Sequence, residues 1–208
     1  MNFDRSIIGD GIEYDILYES ANKIKGVPGL TCDIGLRMGM SSKIIMDGLS
    51  ENNEKWRTHI AIDPYGNIIY HMRDDYHVKM DYTNDMKNEC LTYMHRHSYE
   101  TGINFLFFNM EDTEFFKRYS NGVPVYMEEK SIINIYALIF FDGPHGLSDV
   151  KIEIDFFMNK LSVGGHFVFD NIVDYYDHSI IEDILLRNNF ILYKRGNQKA
   201  SYVKIRNF

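Results

Sequence analysis

The sequence predicts an α/β fold, with a mostly parallel sheet, helices on both faces and a C-terminal antiparallel hairpin. Two apolar runs, Tyr136 to Phe141 and His166 to Phe169, show no alternation with polar residues, which is typical of strands buried on both faces. The residues between these runs carry an apolar stripe at helical spacing, so the three segments predict a right-handed βαβ unit with parallel strands. The last segment differs, because Phe190 to Lys194 and Ala200 to Arg206 flank a turn suited to a hairpin, Arg195 to Lys199.

Helices are predicted where apolar residues recur every three or four positions between turn-forming residues. The first is expected to cover the sheet as part of an N-terminal segment, residues 1 to 29. Ser148 is expected to cap the fifth helix, and Ser179 with Glu182 to form a capping box at the sixth. The predicted helices are Tyr14 to Lys25, a segment after Gly39 that runs through Leu49, Thr83 to Thr101, a segment from Asp112 to about Tyr119, the stripe from Val150 to Leu161, and a helix from Ser179 through Asn188.

The remaining predicted strands are short apolar segments that alternate with these helices: Leu30 to Ile34, Thr58 to Ile62 and Ile103 to Phe108. Ser120 to Lys130 contains Gly and Pro and is interpreted as a connection. Residues 67 to 82 show no clean period and are interpreted as an insertion loop over the sheet edge that serves as a lid or binds a substrate. All elements are assigned to one domain of 208 residues, a size that supports a core without disulfides.

The composition argues against several classes of protein. A net charge of −8 and the lack of a Lys/Arg cluster argue against a nucleic-acid surface, because phosphate neutralisation requires basic residues. No apolar run has membrane-spanning length, and the first residues lack the pattern of a signal peptide. Cys32 and Cys90 are expected to be buried reduced thiols. We therefore expect a soluble cytoplasmic protein whose partner is a small molecule, with a homo-oligomer left open.

A glycine-containing turn, which begins at Asp33, follows the first strand. Gly35 and Gly39 let the chain around Arg37 approach a ligand closely, and Ser41 with the free N–H groups of the next helix offers donors to an anionic group. The third glycine of the dinucleotide fingerprint is missing, which argues against NAD or FAD.

Acids lie at or near the ends of four predicted strands: Asp33, Asp63, Asp142 and Asp170. The carboxyl ends of parallel strands share one edge of the sheet, and ligands bind at that edge in open α/β proteins. Asp63 lies where an acid commonly binds ribose hydroxyls, although an acid in a surface loop would give the same pattern.

Two further acids, Glu111 and Asp112, follow the third predicted strand. They are placed to bind an adenine-type ring. Equally, they could only favour the positive N-terminus of the next helix, and the sequence does not choose between these interpretations.

The order of these motifs resembles that of class I S-adenosylmethionine-dependent methyltransferases. Within them the chain is similar to the metal-dependent O-methyltransferases, both the catechol type and those that act on the sugars of macrolide antibiotics. The most specific motifs are Asp142-Gly143-Pro144-His145 and the segment from Leu161 to Asn171. The resemblance implies a Rossmann-like methyltransferase fold with a seven-stranded sheet and S-adenosylmethionine as the cofactor.

The same resemblance implies roles for individual residues. Asp142, Asp170 and Asn171 match the protein ligands of a magnesium ion, and His145 matches the general base. A histidine at that position, where catechol enzymes have lysine, favours a sugar or glycoside hydroxyl as the acceptor. The candidate cofactor-binding residues are Asp33, which takes the place of a common glutamate, Gly35, Arg37, Gly39, Ser41, Asp63, Glu111, Asp112 and Asp142.

The residue types suit this chemistry independently of the family. Two carboxylates and an amide oxygen are hard donors that match Mg²⁺, and a neutral imidazole can remove a proton from a hydroxyl group. Three alternatives stay open. Asp142 and Asp170 could only cap turns, the protein could be a methyltransferase that uses no metal, or it could be a catalytically silent subunit that binds the cofactor or a partner.

Overall fold

A seven-stranded sheet forms the centre of the protein in the computed structural model, which describes residues 11–66, 82–143 and 146–207 in full and residues 69–73 and 76–79 as backbone only. The sheet order is β10-β11-β9-β8-β1-β2-β5. The strands are β1 (Leu30–Ile34), β2 (Thr58–Ile62), β3 (Ile69–Arg73), β4 (Tyr76–Lys79), β5 (Asn104–Phe108), β6 (Val123–Tyr126), β7 (Lys130–Ile133), β8 (Tyr136–Phe141), β9 (Leu161–Phe169), β10 (Phe190–Arg195) and β11 (Ala200–Lys204).

The strands from β9 to β5 in this order are parallel, and β11 is antiparallel to both of its neighbours. The register aligns the ends of four parallel strands, because Ile62, Ile34, Phe141 and Phe169 lie side by side across β2, β1, β8 and β9. The predicted α/β fold with a terminal hairpin is confirmed.

Helices cover both faces of the sheet, as predicted. One apolar core packs α4, α5 and α6 against the sheet through residues such as Phe115, Phe157 and Ile181. The second core packs α1, α2 and α3 against the opposite face through residues such as Leu17 and Ile44. The helices are α1 (Tyr14–Lys23), α2 (Met40–Glu51), α3 (Asn84–Thr101), α4 (Asp112–Arg118), α5 (Leu147–Met158) and α6 (His178–Arg187).

Two short hairpins lie in segments that the sequence predicted as loops. Residues 67 to 82 contain the antiparallel pair β3 and β4, and the connection after α4 contains the pair β6 and β7. The prediction of an unstructured insertion is therefore wrong for the backbone, whereas its role as a lid stays a prediction. In β6, Val123 and Val125 are buried in the apolar core, but Pro124 between them argues against a strand in the sequence.

Two helix starts differ from the prediction. The fifth helix begins at Leu147, so Ser148 lies inside it, and Leu161 belongs to β9. Asp177 caps the sixth helix by accepting a hydrogen bond from the Ser179 N–H at 3.0 Å, so the predicted capping box does not form. A carboxylate is a stronger acceptor than a hydroxyl group, which explains why the acid takes the cap.

Cys32 and Cys90 are both buried free thiols, as expected from the sequence. In the part of the chain that the structure describes, no helix combines the length and the apolar character needed to cross a membrane.

Candidate functional site

The aligned strand ends bring the predicted acids to one edge of the sheet. Asp33 is near the end of β1, and Asp63, Asp142 and Asp170 each follow the last residue of β2, β8 and β9. Asp33, Asp63 and Asp170 are buried, and Asp142 is half-buried. The expectation that these residues share one edge is confirmed by the strand register.

The glycine-containing turn after β1 lies directly against the end of β8. Gly35 has φ +98°, and a Cβ atom at this position would lie 2.1 Å from the carbonyl oxygen of Asp142. Gly39 has φ +86° and occupies the N-cap position of α2, where a Cβ atom would lie 2.8 Å from Sδ of Met94. Only glycine tolerates both the backbone angle and the close approach at Gly35, so the turn and the acidic strand end form one unit.

Asp63 holds this turn from the neighbouring strand. Its Oδ2 accepts a hydrogen bond from the backbone N–H of Arg37 at 2.8 Å. Arg37 has φ +43°, and its carbonyl oxygen accepts a hydrogen bond from the Tyr65 hydroxyl. Two contacts thus support an uncommon backbone angle at Arg37, and they fix the path of the turn on which a ligand would lie.

Asp33 belongs to a buried polar network beneath the turn. Its Oδ2 accepts hydrogen bonds from the hydroxyls of Ser41 and Ser42, each at 2.6 Å. The Ser42 hydroxyl lies 2.9 Å from Nε2 of His59, whose Nδ1 lies 2.9 Å from the Thr31 hydroxyl. The predicted Ser41 donor is therefore engaged by Asp33, and sequence reasoning missed Ser42, His59 and Thr31.

Burial sets the protonation of this network. It raises the pKa of Asp33 from 3.8 to about 7, partly offset by the two serine hydrogen bonds, and it lowers the pKa of His59 from 6.5 to about 3. His59 is therefore neutral near pH 7, and one of its ring nitrogens accepts a hydrogen bond from a hydroxyl group. Among the described residues, Oδ1 of Asp33 has no hydrogen-bond partner, which is consistent with the raised pKa of this buried carboxyl group.

Asp33→Asn is expected to alter how stability depends on pH. The pKa of Asp33 is about 7 in the folded protein and 3.8 in the unfolded chain. The contribution of Asp33 to the free energy of unfolding is therefore fully present below about pH 4. It falls by about 1.4 kcal/mol per pH unit as the pH rises to about 7. The variant keeps an acceptor for Ser41 and Ser42 and should gain stability relative to the wild type over this interval. Urea unfolding at several pH values measures the difference in free energy of unfolding between the variant and the wild type. Both proteins contain His59, so its titration cancels from this difference. A difference that does not vary with pH would contradict the prediction.

The two acids after β5 occupy different environments. Glu111 is exposed at the N-cap position of α4 and makes no side-chain capping bond. Asp112 is buried near Glu153 of α5, and burial followed by the charge of Asp112 raises the pKa of Glu153 well above its ordinary value. Burial likewise raises the pKa of Asp112. At least one of the two carboxyl groups is therefore expected to be protonated. Sequence reasoning missed Glu153, because a buried glutamate on a helix has no distinctive pattern.

Asp142 and Asp170 form an acidic pair directly after β8 and β9. Burial, and then the negative charge of Asp170, raises the pKa of Asp142 well above its ordinary value, and the two side chains share a hydrogen bond. Burial and the negative charge of Asp170 therefore favour the protonated form of Asp142. Asn171 follows directly, with φ +53°, so the predicted metal ligands Asp142, Asp170 and Asn171 lie on neighbouring strand ends.

A buried lysine, Lys199, contacts the acidic pair, although the sequence did not single it out. Lys199 has 1% of its side chain exposed, and its Nζ lies 2.5 Å from Oδ1 of Asp170. The ammonium group also lies 5.3 Å from the ring centroid of Tyr14 and 5.5 Å from that of Phe140. Sequence reasoning placed Lys199 in the turn of the terminal hairpin and therefore treated it as a surface residue.

The hairpin turn that carries Lys199 is fixed by the N-terminal segment. The Glu13 carboxylate accepts hydrogen bonds from the backbone N–H groups of Asn197, Gln198 and Lys199 at 2.7, 2.9 and 3.0 Å. The Gln198 carbonyl oxygen in turn accepts a hydrogen bond from the Ile172 N–H at 3.1 Å. The turn is thereby joined to the segment that follows Asp170 and Asn171.

The donor chemistry of the acidic pair suits a hard cation. A divalent ion would relieve the repulsion between Asp142 and Asp170, and Asn171 adds an amide oxygen. Within the described ranges, no group of three or more His, Cys, Asp or Glu side chains is arranged as a metal site. The predicted base, His145, lies outside the described residues, as does Pro144.

Comparisons with solved structures identify the fold. No family model matches the chain, and no curated protein matches it. The O-methyltransferase NovP superposes with a TM-score of 0.60 at 16% identity, over 93% of this chain and 79% of that one. The chain has the Rossmann-like methyltransferase fold. CalS11, a calicheamicin methyltransferase, has a TM-score of 0.66 at 12% identity, over 92% of this chain and 77% of its own. The O-methyltransferase TomG from Streptomyces achromogenes, solved in complex with SAM, has a TM-score of 0.59 at 11% identity, over 97% and 83% of the two chains.

The methyltransferase fold predicted from the sequence motifs is thus confirmed. Within it, the structure brings Gly35 against Asp142, Asp63 against Arg37, and Asp142 against Asp170. The roles assigned to these residues in binding a cofactor and a metal stay predictions, which the following proposal takes up.

Proposed function

We propose that the protein is an S-adenosylmethionine-dependent O-methyltransferase that acts, with Mg²⁺, on a hydroxyl group of a small molecule, a sugar or a glycoside. The observation that carries the proposal is the junction of the glycine turn with the acidic pair, where the backbone of Gly35 lies against that of Asp142. A cofactor bound along the turn would place its reactive end beside the acids. Methyl transfer needs this proximity between cofactor and acceptor.

The cofactor half of the site has the appropriate polarity. Asp63 is placed to accept hydrogen bonds from ribose hydroxyls while it holds the N–H of Arg37. Asp33, Asp63 and Asp142 lie around the turn, and each of them favours the positive sulfonium centre of S-adenosylmethionine when it is ionised. The buried Asp112 is the first residue of α4, after the end of β5, where it can bind an adenine ring, whereas the exposed Glu111 is better explained by the positive end of α4.

The acceptor half is formed by the acidic pair and its neighbours. Asp142, Asp170 and Asn171 would hold Mg²⁺, which when bound makes an acceptor hydroxyl more acidic. His145, three positions after Asp142 in the sequence, would remove the hydroxyl proton. The oxygen of the acceptor then attacks the methyl carbon of the cofactor, and the sulfur leaves with the electron pair of the broken bond.

Support for a sugar hydroxyl comes from two sources. The sequence has histidine at the position of the predicted base, and CalS11, which is similar in fold, is a TDP-rhamnose 3′-O-methyltransferase. The sugar acceptor is therefore part of the proposal, and methyl transfer to a panel of sugars and glycosides tests it.

A second candidate function is favoured by the ion pair of Lys199 and Asp170. An ammonium group already neutralises part of the acidic pair, so a methyltransferase of this fold could use Lys199 in place of a metal ion. In this alternative Asp142 and Asp170 accept hydrogen bonds from the acceptor, and turnover is independent of divalent ions.

Ligand-dependent stability and chelation test both candidates. S-adenosylmethionine or its demethylated product should stabilise the protein by about 2.7 kcal/mol at a hundredfold excess over Kd, and NAD should not. Stabilisation by NAD alone would refute the cofactor assignment. Methyl transfer to a panel of sugars and glycosides should stop on addition of EDTA and return with Mg²⁺. Full turnover in EDTA would instead support the metal-independent candidate.

A further inference from the structure

Lys199 is a charged side chain enclosed by the protein at the edge of the proposed metal site. Its ammonium group has one acidic hydrogen-bond partner, Oδ1 of Asp170, and two aromatic rings, Tyr14 and Phe140, on its other sides. A Cβ atom at Gly11 would lie 3.2 Å from Nζ, so the segment before α1 also passes close to the ammonium group. This enclosure leaves Lys199 little freedom to move away from Asp170.

The charges around Lys199 define what it does to an incoming cation. Asp170 contacts it, Asp142 interacts electrostatically with both Asp170 and Lys199, and Glu13 binds the backbone of the same turn. A divalent ion that enters must lie close to this fixed positive charge, with which it shares the Asp170 carboxylate.

We propose that Lys199 is a positioning residue that holds the Asp170 carboxylate in place and keeps the affinity of the acidic pair for divalent cations low. The inference rests on the metal site of the proposed function. The enclosed ammonium group of Lys199 occupies Oδ1 of Asp170, and it repels a divalent ion twice as strongly as a monovalent ion at the same distance. Removal of this charge is therefore expected to strengthen the binding of a divalent ion.

One consequence concerns the order of binding. With both acids ionised, Mg²⁺ and Lys199 together leave one excess positive charge, which an anionic oxygen of the acceptor would neutralise. The structure thus favours a site that holds the metal weakly alone and more tightly once the deprotonated acceptor is present.

The matched control lies on the same hairpin. Lys204 of β11 is also 1% exposed, but its Nζ donates to the carbonyl oxygens of Met158 and Leu161 at 3.0 and 2.9 Å. Lys204→Met removes a buried ammonium group from this hairpin without changing the charge next to Asp170. It measures the part of any effect that arises from loss of stability alone.

The experiment is a titration with Mn²⁺, followed by electron paramagnetic resonance, and with Mg²⁺, followed by calorimetry, without cofactor or acceptor. The proteins are the wild type, Lys199→Met, Lys199→Gln and Lys204→Met, each first shown to be folded by circular dichroism. Lys199→Gln keeps a hydrogen-bond donor for Asp170 and remains informative if the methionine variant does not fold. Both Lys199 variants are expected to bind Mn²⁺ at least about tenfold more tightly than the wild type, and Lys204→Met as the wild type does.

Two outcomes would overturn the proposal, and they are distinguishable. Equal Mn²⁺ affinity in the wild type and both Lys199 variants would show that a metal site exists but that Lys199 does not control it. No binding of Mn²⁺ by any of the proteins, with S-adenosylmethionine binding intact, would refute the metal site of the proposed function and the role of Lys199 with it.

Discussion

Asp142→Asn and Asp170→Asn are expected to reduce methyl transfer alike, by at least about 100-fold, and to change the stability of the protein in opposite directions. Both substitutions remove a carboxylate from the acidic pair, on which the proposed positioning of the acceptor depends. The difference in stability arises from Lys199, which contacts Asp170 at 2.5 Å.

The Asp170 variant should be the less stable of the two. It leaves the Lys199 ammonium buried without its carboxylate, and breaking a buried ion pair in this way costs about 3–5 kcal/mol. Asp142→Asn instead removes a group whose pKa burial and Asp170 raise well above its ordinary value. An acid with a raised folded pKa destabilises the folded protein increasingly as the pH rises above the unfolded pKa. The Asp142→Asn variant should therefore be more stable than the wild type, by an amount that grows with pH.

Urea unfolding and turnover measured on the same preparations check this prediction. Asp155→Asn is the matched control, because Asp155 is an exposed carboxylate of α5, away from the strand ends, and should change neither quantity. Equal losses of stability in the Asp142 and Asp170 variants would contradict the assignment of Lys199 as the hydrogen-bonded ion-pair partner of Asp170.

His145→Ala is expected to lower turnover by about 10²–10⁴-fold, which is the usual contribution of a general base. The expectation comes from the position of His145 three residues after Asp142 and from the resemblance of this motif to the metal-dependent O-methyltransferases. Affinities for S-adenosylmethionine and Mn²⁺ should stay close to those of the wild type, since the predicted ligands are unchanged.

The pH profile separates a base from a turn residue. Wild-type turnover should fall on acidification as His145 is protonated, because a protonated imidazole cannot accept the hydroxyl proton. The alanine variant should lose this dependence while it retains a low residual rate. Near-normal turnover in the variant would show that His145 is not the base, and loss of Mn²⁺ binding would show that it is a metal ligand.

Three strands were predicted from the sequence to the residue, namely β1, β2 and β8. The bounds of β8 follow from a continuous apolar run, which is typical of a strand buried on both faces, whereas β9 begins five residues before the predicted His166. The same logic placed Asp63, Asp142 and Asp170 at a shared edge, since parallel strands have their carboxyl ends on one side. The strands of the two short hairpins escaped prediction because pairing with one neighbour leaves no such pattern.

Buried ionisable residues were the main part of the site that sequence reasoning missed. Lys199, His59 and Glu153 are each nearly inaccessible, yet lysine and glutamate are mostly exposed residues and histidine is often so, which means that their types argue for the surface. Their burial depends on partners that lie far away in the sequence. Lys199 pairs with Asp170 over 29 positions, and His59 contacts Thr31 over 28.

The contact between Glu13 and the hairpin turn has a consequence for the order in which the protein can fold. Glu13 and Lys199 are separated by 186 positions, so their contact forms only late in ribosomal synthesis. Asp142 and Asp170 also precede Lys199 in the sequence, so both acids are made before the lysine that neutralises them. Until β11 is made, β9 has an unpaired edge, and a hydrophobic edge strand invites association with another chain. Nascent or truncated chains that stop before β11 should therefore be the species most prone to aggregate, whereas the completed hairpin both covers the edge and supplies the missing charge.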